Sequence, residues 1–93
     1  MTNWSGAVLT VSPNYGDDQT LFARLDEGLI KSTDGGRTWW PVNIGLPLKD
    51  DGNPPSVLSL AISPDYASDG TLFVGLVDHG VYRSVDGGES WER

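Results

Sequence analysis

The sequence predicts an all-β protein made of one four-stranded unit used twice. An eight-residue phrase occurs as Ser32-Thr33-Asp34-Gly35-Gly36-Arg37-Thr38-Trp39 and, 52 positions later, as Ser84-Val85-Asp86-Gly87-Gly88-Glu89-Ser90-Trp91, both reading S-x-D-G-G-x-[TS]-W. Self-similarity at such a period is the signature of stacked supersecondary units. The 12 Gly, 6 Pro and 4 Trp in 93 residues suit short strands joined by tight turns. No segment carries a sustained 3.6-residue apolar period, so no helix is expected.

The echo extends beyond the phrase. Leu9–Leu25 aligns on Leu60–Leu76 at an offset of 51, and Gly28–Trp39 aligns on Gly80–Trp91 at 52, one residue being inserted near Val77. Counting from Val8 to Leu25 and from Gly28 to Trp39, 15 of 30 aligned positions are identical, which excludes chance. The units divide the chain into residues 1–43, a connecting loop 44–56, and residues 57–93.

Each unit reads as four strands. The first is Val8-Leu9-Thr10-Val11, or Val57 to Ile62 in the second unit, where β-branched residues and leucines favour extended chain. Ser12-Pro13 and Ser63-Pro64 stop it, because proline cannot donate to a ladder. The second strand is Thr20 to Leu25, or Thr71 to Val77. Asp26-Glu27-Gly28 and Asp78-His79-Gly80 have hairpin chemistry. The third is Leu29 to Ser32, or Val81 to Ser84. The fourth runs from Thr38 to about Asn43, or from Ser90 to the end of the chain.

The turn between the third and fourth strands holds the repeated phrase. Asp34 and Asp86 accept hydrogen bonds from backbone N–H groups a few residues on. Gly35-Gly36 and Gly87-Gly88 supply a left-handed backbone. Ser32 with Thr38, and Ser84 with Ser90, are expected to pair their hydroxyls across the hairpin base. Trp39 and Trp91 are expected to bury their rings beneath the turn.

These phrases resemble the Asp-box, or BNR, repeat, whose pattern is S-x-D-x-G-x-[TS]-W, and both copies match it at every defining position. Proteins with such repeats include sialidases, xyloglucan-active glycosidases, sortilin-type receptor ectodomains and photosystem-assembly factors. The Ser-Pro-[Asn/Asp]-Tyr and Asp-x-Thr-Leu-Phe segments look like those of bacterial proteins with many such units. The resemblance implies four-stranded antiparallel blades of a β-propeller. A ring needs about four to eight blades, and this chain encodes two. The expectation is a ring closed by homo-oligomerisation, a trimer giving six blades, with a dimer or tetramer as the other closures. The chain begins just before a first strand and stops inside a fourth, which suits head-to-tail contact.

In that architecture the loops after the second strand and between blades share the face that meets ligands. Here they carry Asp26, Glu27, Asp78 and His79, together with Asp50, Asp51 and Asn53 of the connecting loop. The D-G-G turns lie on the opposite face, so the strongest motif is the least suited to be an active site. A symmetric ring would repeat the acidic residues around a central channel, a mouth suited to cations or basic peptides. A lone His among hairpin carboxylates is ordinary turn chemistry, and Asp50-Asp51-Gly52-Asn53 lacks the ligand spacing of a calcium loop, so no metal site is assigned. Trp4 and Trp40 have no counterparts in the other unit. They either stack on carbohydrate or pack between blades, packing being favoured.

No catalytic residue and no cofactor is assigned. Arg24, Arg37, Arg83 and Arg93 fall in no motif that transfers a sialidase role, and His79 has no serine elbow nearby. Two carboxylates at glycosidase spacing are inevitable among 13 acidic residues, so composition makes none a catalyst. A net charge of −7 with six scattered Lys and Arg argues against nucleic acid and against an anionic membrane. No apolar run approaches the roughly 20 residues of a spanning helix. Met1 to Gly6 lack the charged and apolar regions of a secretion signal, and the compartment is left unassigned. The favoured function is a non-enzymatic, self-assembling scaffold. The alternatives are a piece of a glycoside hydrolase propeller or a receptor-like peptide-binding propeller.

Overall fold

The computed structural model describes residues 8–25 and 28–93. Two antiparallel sheets account for the fold. The first has the order β1-β2-β3-β4, from Val8–Val11, Leu21–Arg24, Leu29–Ser32 and Trp40–Pro41. The second has the order β5-β6-β7, from Val57–Ile62, Leu72–Leu76 and Gly80–Ser84. The two registers correspond: Phe22 pairs with Thr10 and Lys31, as Phe73 pairs with Ala61 and Arg83.

The fourth strand is shorter than expected. In the first sheet it is only Trp40–Pro41, and in the second a single bridge joins Arg83 to Glu92. Pro41 has no N–H to donate, and beyond it only the Val42 N–H continues the pairing, donating to Leu29 O at 3.1 Å. Asn43 caps the strand from the side, its Oδ1 accepting the Leu29 N–H at 2.8 Å.

Two single-turn helices, α1 (Tyr15–Asp18) and α2 (Tyr66–Asp69), correct the expectation of none. Four residues are too few to display a helical period, so periodicity could not announce them. Local side chains wind them instead. Ser12 Oγ accepts the Asn14 N–H at 3.1 Å and donates to Asp18 Oδ2 at 2.8 Å, while Asp18 Oδ1 accepts the Thr20 N–H at 3.0 Å. Ser63, Asp65, Asp69 and Thr71 repeat the arrangement in the second unit. The S-P-[ND]-Y segment is thus a turn-builder with its own hydrogen-bond lattice.

The core is the interface between the sheets. Phe22 and Leu29 of the first meet Val57, Tyr66, Leu72, Val74, Leu76 and Trp91 of the second, with Val42 and Leu46 closing one side. Each fully buried apolar side chain there contributes about 1.5–3 kcal/mol. Phe22 and Tyr66 meet edge to face, with ring centroids 5.9 Å apart and planes at 83°. Arg24 Nη1 donates to Val57 O at 2.8 Å, and the Gly28 N–H donates to Pro55 O at 3.1 Å, so backbone groups also cross the junction.

Candidate functional site

The repeated D-G-G turns are built almost identically, and their carboxylates are consumed in building them. Asp34 Oδ1 accepts the Ser32 hydroxyl at 2.8 Å and the N–H groups of Arg37 and Thr38, both at 2.9 Å; Oδ2 accepts the Thr38 hydroxyl at 2.5 Å. Asp86 does the same with Ser84 and Ser90. The expected direct pairing of the two hydroxyls is therefore corrected: each is joined to the other through the carboxylate between them. Each Ser Oγ also accepts the N–H of the second glycine at 2.9 Å, on Gly36 and Gly88.

Donors aimed at a carboxylate favour its charged form. The Thr38 hydroxyl and N–H, aided by Ser32 and Arg37, bring Asp34 down to about 2. The Ser90 hydroxyl and N–H, aided by Ser84, do the same for Asp86, again to about 2. A carboxylate held this low carries no proton at neutral pH, and both its oxygens accept hydrogen bonds within the turn. Such a group is a weak base, far from the pKa that suits proton transfer at neutral pH.

The turns differ in what they touch. Gly35 N–H and Gly87 N–H each donate to the end of the preceding helical turn, at Gln19 O (3.1 Å) and Gly70 O (2.9 Å). The second turn, however, is docked on the first sheet. Lys31 Nζ donates to Gly87 O at 2.8 Å, lies 5.5 Å from the Phe22 ring centroid, and stands 3.5 Å from Glu89 Oε2. Tyr66 Oη donates to the same carbonyl at 3.2 Å. Burial first, then the negative charges of Asp18, Glu89 and Asp86, raise the Tyr66 phenol to about 12.

The tryptophans separate accordingly. Trp91 is buried, its Nε1 donating to Val42 O at 2.8 Å and its N–H to Ile44 O at 2.9 Å. Trp39 is only half-buried and turns its Nε1 back onto Gly36 O at 3.0 Å. The expectation of two equally buried rings holds for one of them, because the connecting loop passes over Trp91. Trp40 is exposed on β4 and does not enter the core between the two sheets. Trp4 lies outside the described residues.

A cleft of about 550 Å³ opens at the same end of the sheets, lined by Asn14, Asp18, Thr20, Tyr66, Asp69 and Gly87 among others. Its two carboxylates are those already bound by Ser12 and Ser63, and its phenol is bound to Gly87. The wall is of mixed polarity, and these polar groups bond within the chain.

The described members of the expected acidic face stand in two turns. Asp26 and Glu27 lie outside the described residues. Asp78 has a left-handed backbone, φ 63°, in the turn before β7, where the His79 N–H reaches back to Leu76 O at 3.4 Å. Asp50 and Asp51 occupy a separate turn closed by the Lys49 N–H on Asn53 O at 2.8 Å. The Asn53 N–H, then the Lys49 ammonium 3.7 Å away, lower the Asp51 carboxyl. Among the described residues no three His, Cys, Asp or Glu side chains gather as metal ligands.

Sequence reasoning passed over Lys31 and Tyr66. Both have copies in the other unit, Arg83 and Tyr15, and a basic residue kept at the same point of an otherwise apolar strand was the available signal.

No family model matches the chain. It is 36% identical over 89 residues to an oligoxyloglucan-reducing end-specific xyloglucanase of Emericella nidulans, covering 95% of this chain and 10% of that protein. It is 35% identical over 103 aligned residues to a xyloglucanase of a Paenibacillus species, covering 92% of this chain and 10% of that one. The chain thus spans about a tenth of the length of these curated relatives.

Proposed function

We propose that the chain is a two-blade, non-catalytic segment of a β-propeller, a scaffold whose ring is completed by further blades. The observation that carries this reading is the docking of the second D-G-G turn on the first sheet, through Lys31 on Gly87 O. A repeat that packs on its predecessor face to face is a unit that can be propagated, and a propeller propagates it around a circle. The spent carboxylates of Asp34 and Asp86 support a structural task for the motif. Three copies would close six blades.

The likeness to two xyloglucanases favours carbohydrate as the ligand class of the completed ring, and favours a glycoside hydrolase parent as the second reading. In both readings the catalytic carboxylates lie outside the D-G-G turns. The test is incubation of the purified chain with xyloglucan oligosaccharides, followed by reducing-end release. The scaffold reading expects no turnover. Hydrolysis abolished by substituting one Asp or Glu of this chain would overturn it.

A further inference from the structure

The interface inside this chain is also a template for the contact its two outer faces make. Several residues that one sheet presents to the other have repeat counterparts on an outer face. On the first sheet the inward rows are Thr10-Phe22-Lys31 and Arg24-Leu29. Their counterparts on the second sheet are Ala61-Phe73-Arg83 and Gly75-Val81, and these face outward. Phe22 and Leu29 are 0% exposed, whereas Phe73 is 44% and Val81 60% exposed. Conversely, Leu60, Ile62, Tyr66 and Leu76 of the second unit pack in the core. Their counterparts Leu9, Val11 and Leu25 are exposed at 59%, 49% and 40%, and Tyr15 is half-buried.

We infer that these outer faces are two halves of one heterologous interface, and that its occupant is a second copy of this chain, docked head to tail. Arg83 takes the place of Lys31 and donates to Gly35 O of the neighbouring copy. Phe73 takes the place of Phe22 and meets the neighbour's Tyr15 edge to face. Val81 takes the place of Leu29. This extends the two-blade reading by naming the partner and the register. Continuity carries the argument: each of these pairs is the repeat counterpart of a pair already in contact inside the chain, Lys31 with Gly87 and Phe22 with Tyr66. Two positions depart from the template. Gly75 stands where Arg24 stands, so the internal hydrogen bond of Arg24 to Val57 O has no counterpart. Arg37 stands where Glu89 stands, so the Lys31–Glu89 pair of the internal interface becomes Arg83 opposite Arg37. Like charges at that point weaken the contact, and the −7 charge of each copy opposes it further, so salt strengthens the association.

Native mass measurement and sedimentation of the full chain across a dilution series test this, with circular dichroism reporting the fold. The wild type is expected as a closed oligomer of whole copies. Phe73→Glu, on an exposed side chain, is expected to remain folded and dissociate to monomers. Leu48→Glu adds the same charge in the connecting loop, away from both faces, and leaves the mass unchanged. Arg37→Glu restores the template pair and is expected to tighten association about fivefold. A folded wild-type monomer at all concentrations, a Phe73→Glu oligomer of unchanged mass, or an Arg37→Glu variant that associates no more tightly would each overturn the inference. None of these would bear on the hydrolysis test, so the scaffold reading and the self-docking fail separately.

Discussion

Lys31 donates a 2.8 Å hydrogen bond to the carbonyl oxygen of Gly87, joining a strand of the first unit to the tight turn of the second across 56 residues of sequence. The ammonium also lies near the Phe22 ring, and its stem runs through the packed junction between the sheets. A long basic side chain can bury its methylenes and still satisfy its charge when a carbonyl and a carboxylate wait at the end. Here Gly87 O and Glu89 fill those two positions.

Substituting Lys31 separates these contributions. Lys31→Met keeps much of the stem packing and removes the charged donor, while Tyr66 still serves Gly87 O. A loss of about 1–2 kcal/mol is expected in urea unfolding. Lys31→Ala removes the packing as well and is expected to lose about 2–4 kcal/mol. Equal stability of Lys31→Ala and wild type would mean the junction does not depend on this side chain.

The second glycines of the two turns make a matched pair. Gly36 and Gly88 have φ of 94° and 92°, so alanine at either meets the same backbone penalty of roughly 1–2 kcal/mol. Their surroundings differ. A Cβ on Gly88 would stand 2.9 Å from Phe22 Cε2, whereas one on Gly36 finds its nearest neighbour at 3.5 Å. Gly88→Ala is therefore expected to lose about 1–3 kcal/mol more than Gly36→Ala. Thermal unfolding of the two variants side by side measures the docking of the second turn on the first sheet, with the turn chemistry cancelled.

The tryptophans are expected to behave unequally. Trp91→Ala empties a buried site and is expected to cost about 3–5 kcal/mol. Trp91→Phe retains a ring but leaves Val42 O without its donor, for about 1–3 kcal/mol. Trp39→Ala should cost less than half as much as Trp91→Ala, because that ring is only half-buried. Intrinsic fluorescence provides a second check: quenching by iodide should fall mainly on the exposed Trp40 and half-buried Trp39, leaving Trp91 protected.

Stability should respond to pH at both ends of the scale. Asp34 and Asp86 have folded pKa values of about 2 against 3.8 for the free side chain. Their contribution is fully present above 3.8 and is lost as pH falls toward 2. Asp86→Asn should flatten part of that acid limb in pH-jump unfolding. Tyr66 is raised from 10.0 to about 12, so its contribution is present below pH 10 and is lost as pH rises through 12. Tyr66→Phe should abolish the alkaline limb while leaving the acid limb in place.

Much of this was legible in the residues. Ser32, Asp34, Gly36 and Thr38 form a closed loop of hydrogen bonds within seven positions, so their pattern alone specifies the turn. The strand pairs β1–β2 and β2–β3 follow from apolar, β-branched runs separated by turn residues. The helical turns at Tyr15 and Tyr66 were hidden because four residues show no period. The shortness of β4 was hidden because Asn43 reaches its partner, Leu29, from another strand.

The repetition itself, the strand order within each unit and the chemistry of the D-G-G turns were settled by the chain of letters, because each rests on contacts between near neighbours. Which copy of each repeated residue would be buried was settled only by the packing of one sheet on the other. Phe22 and Phe73, Leu29 and Val81, Lys31 and Arg83 occupy equivalent positions, and local physics treats each pair alike. Only the first of each pair has a sheet in front of it, and burial is a property of what lies opposite, which no local pattern encodes.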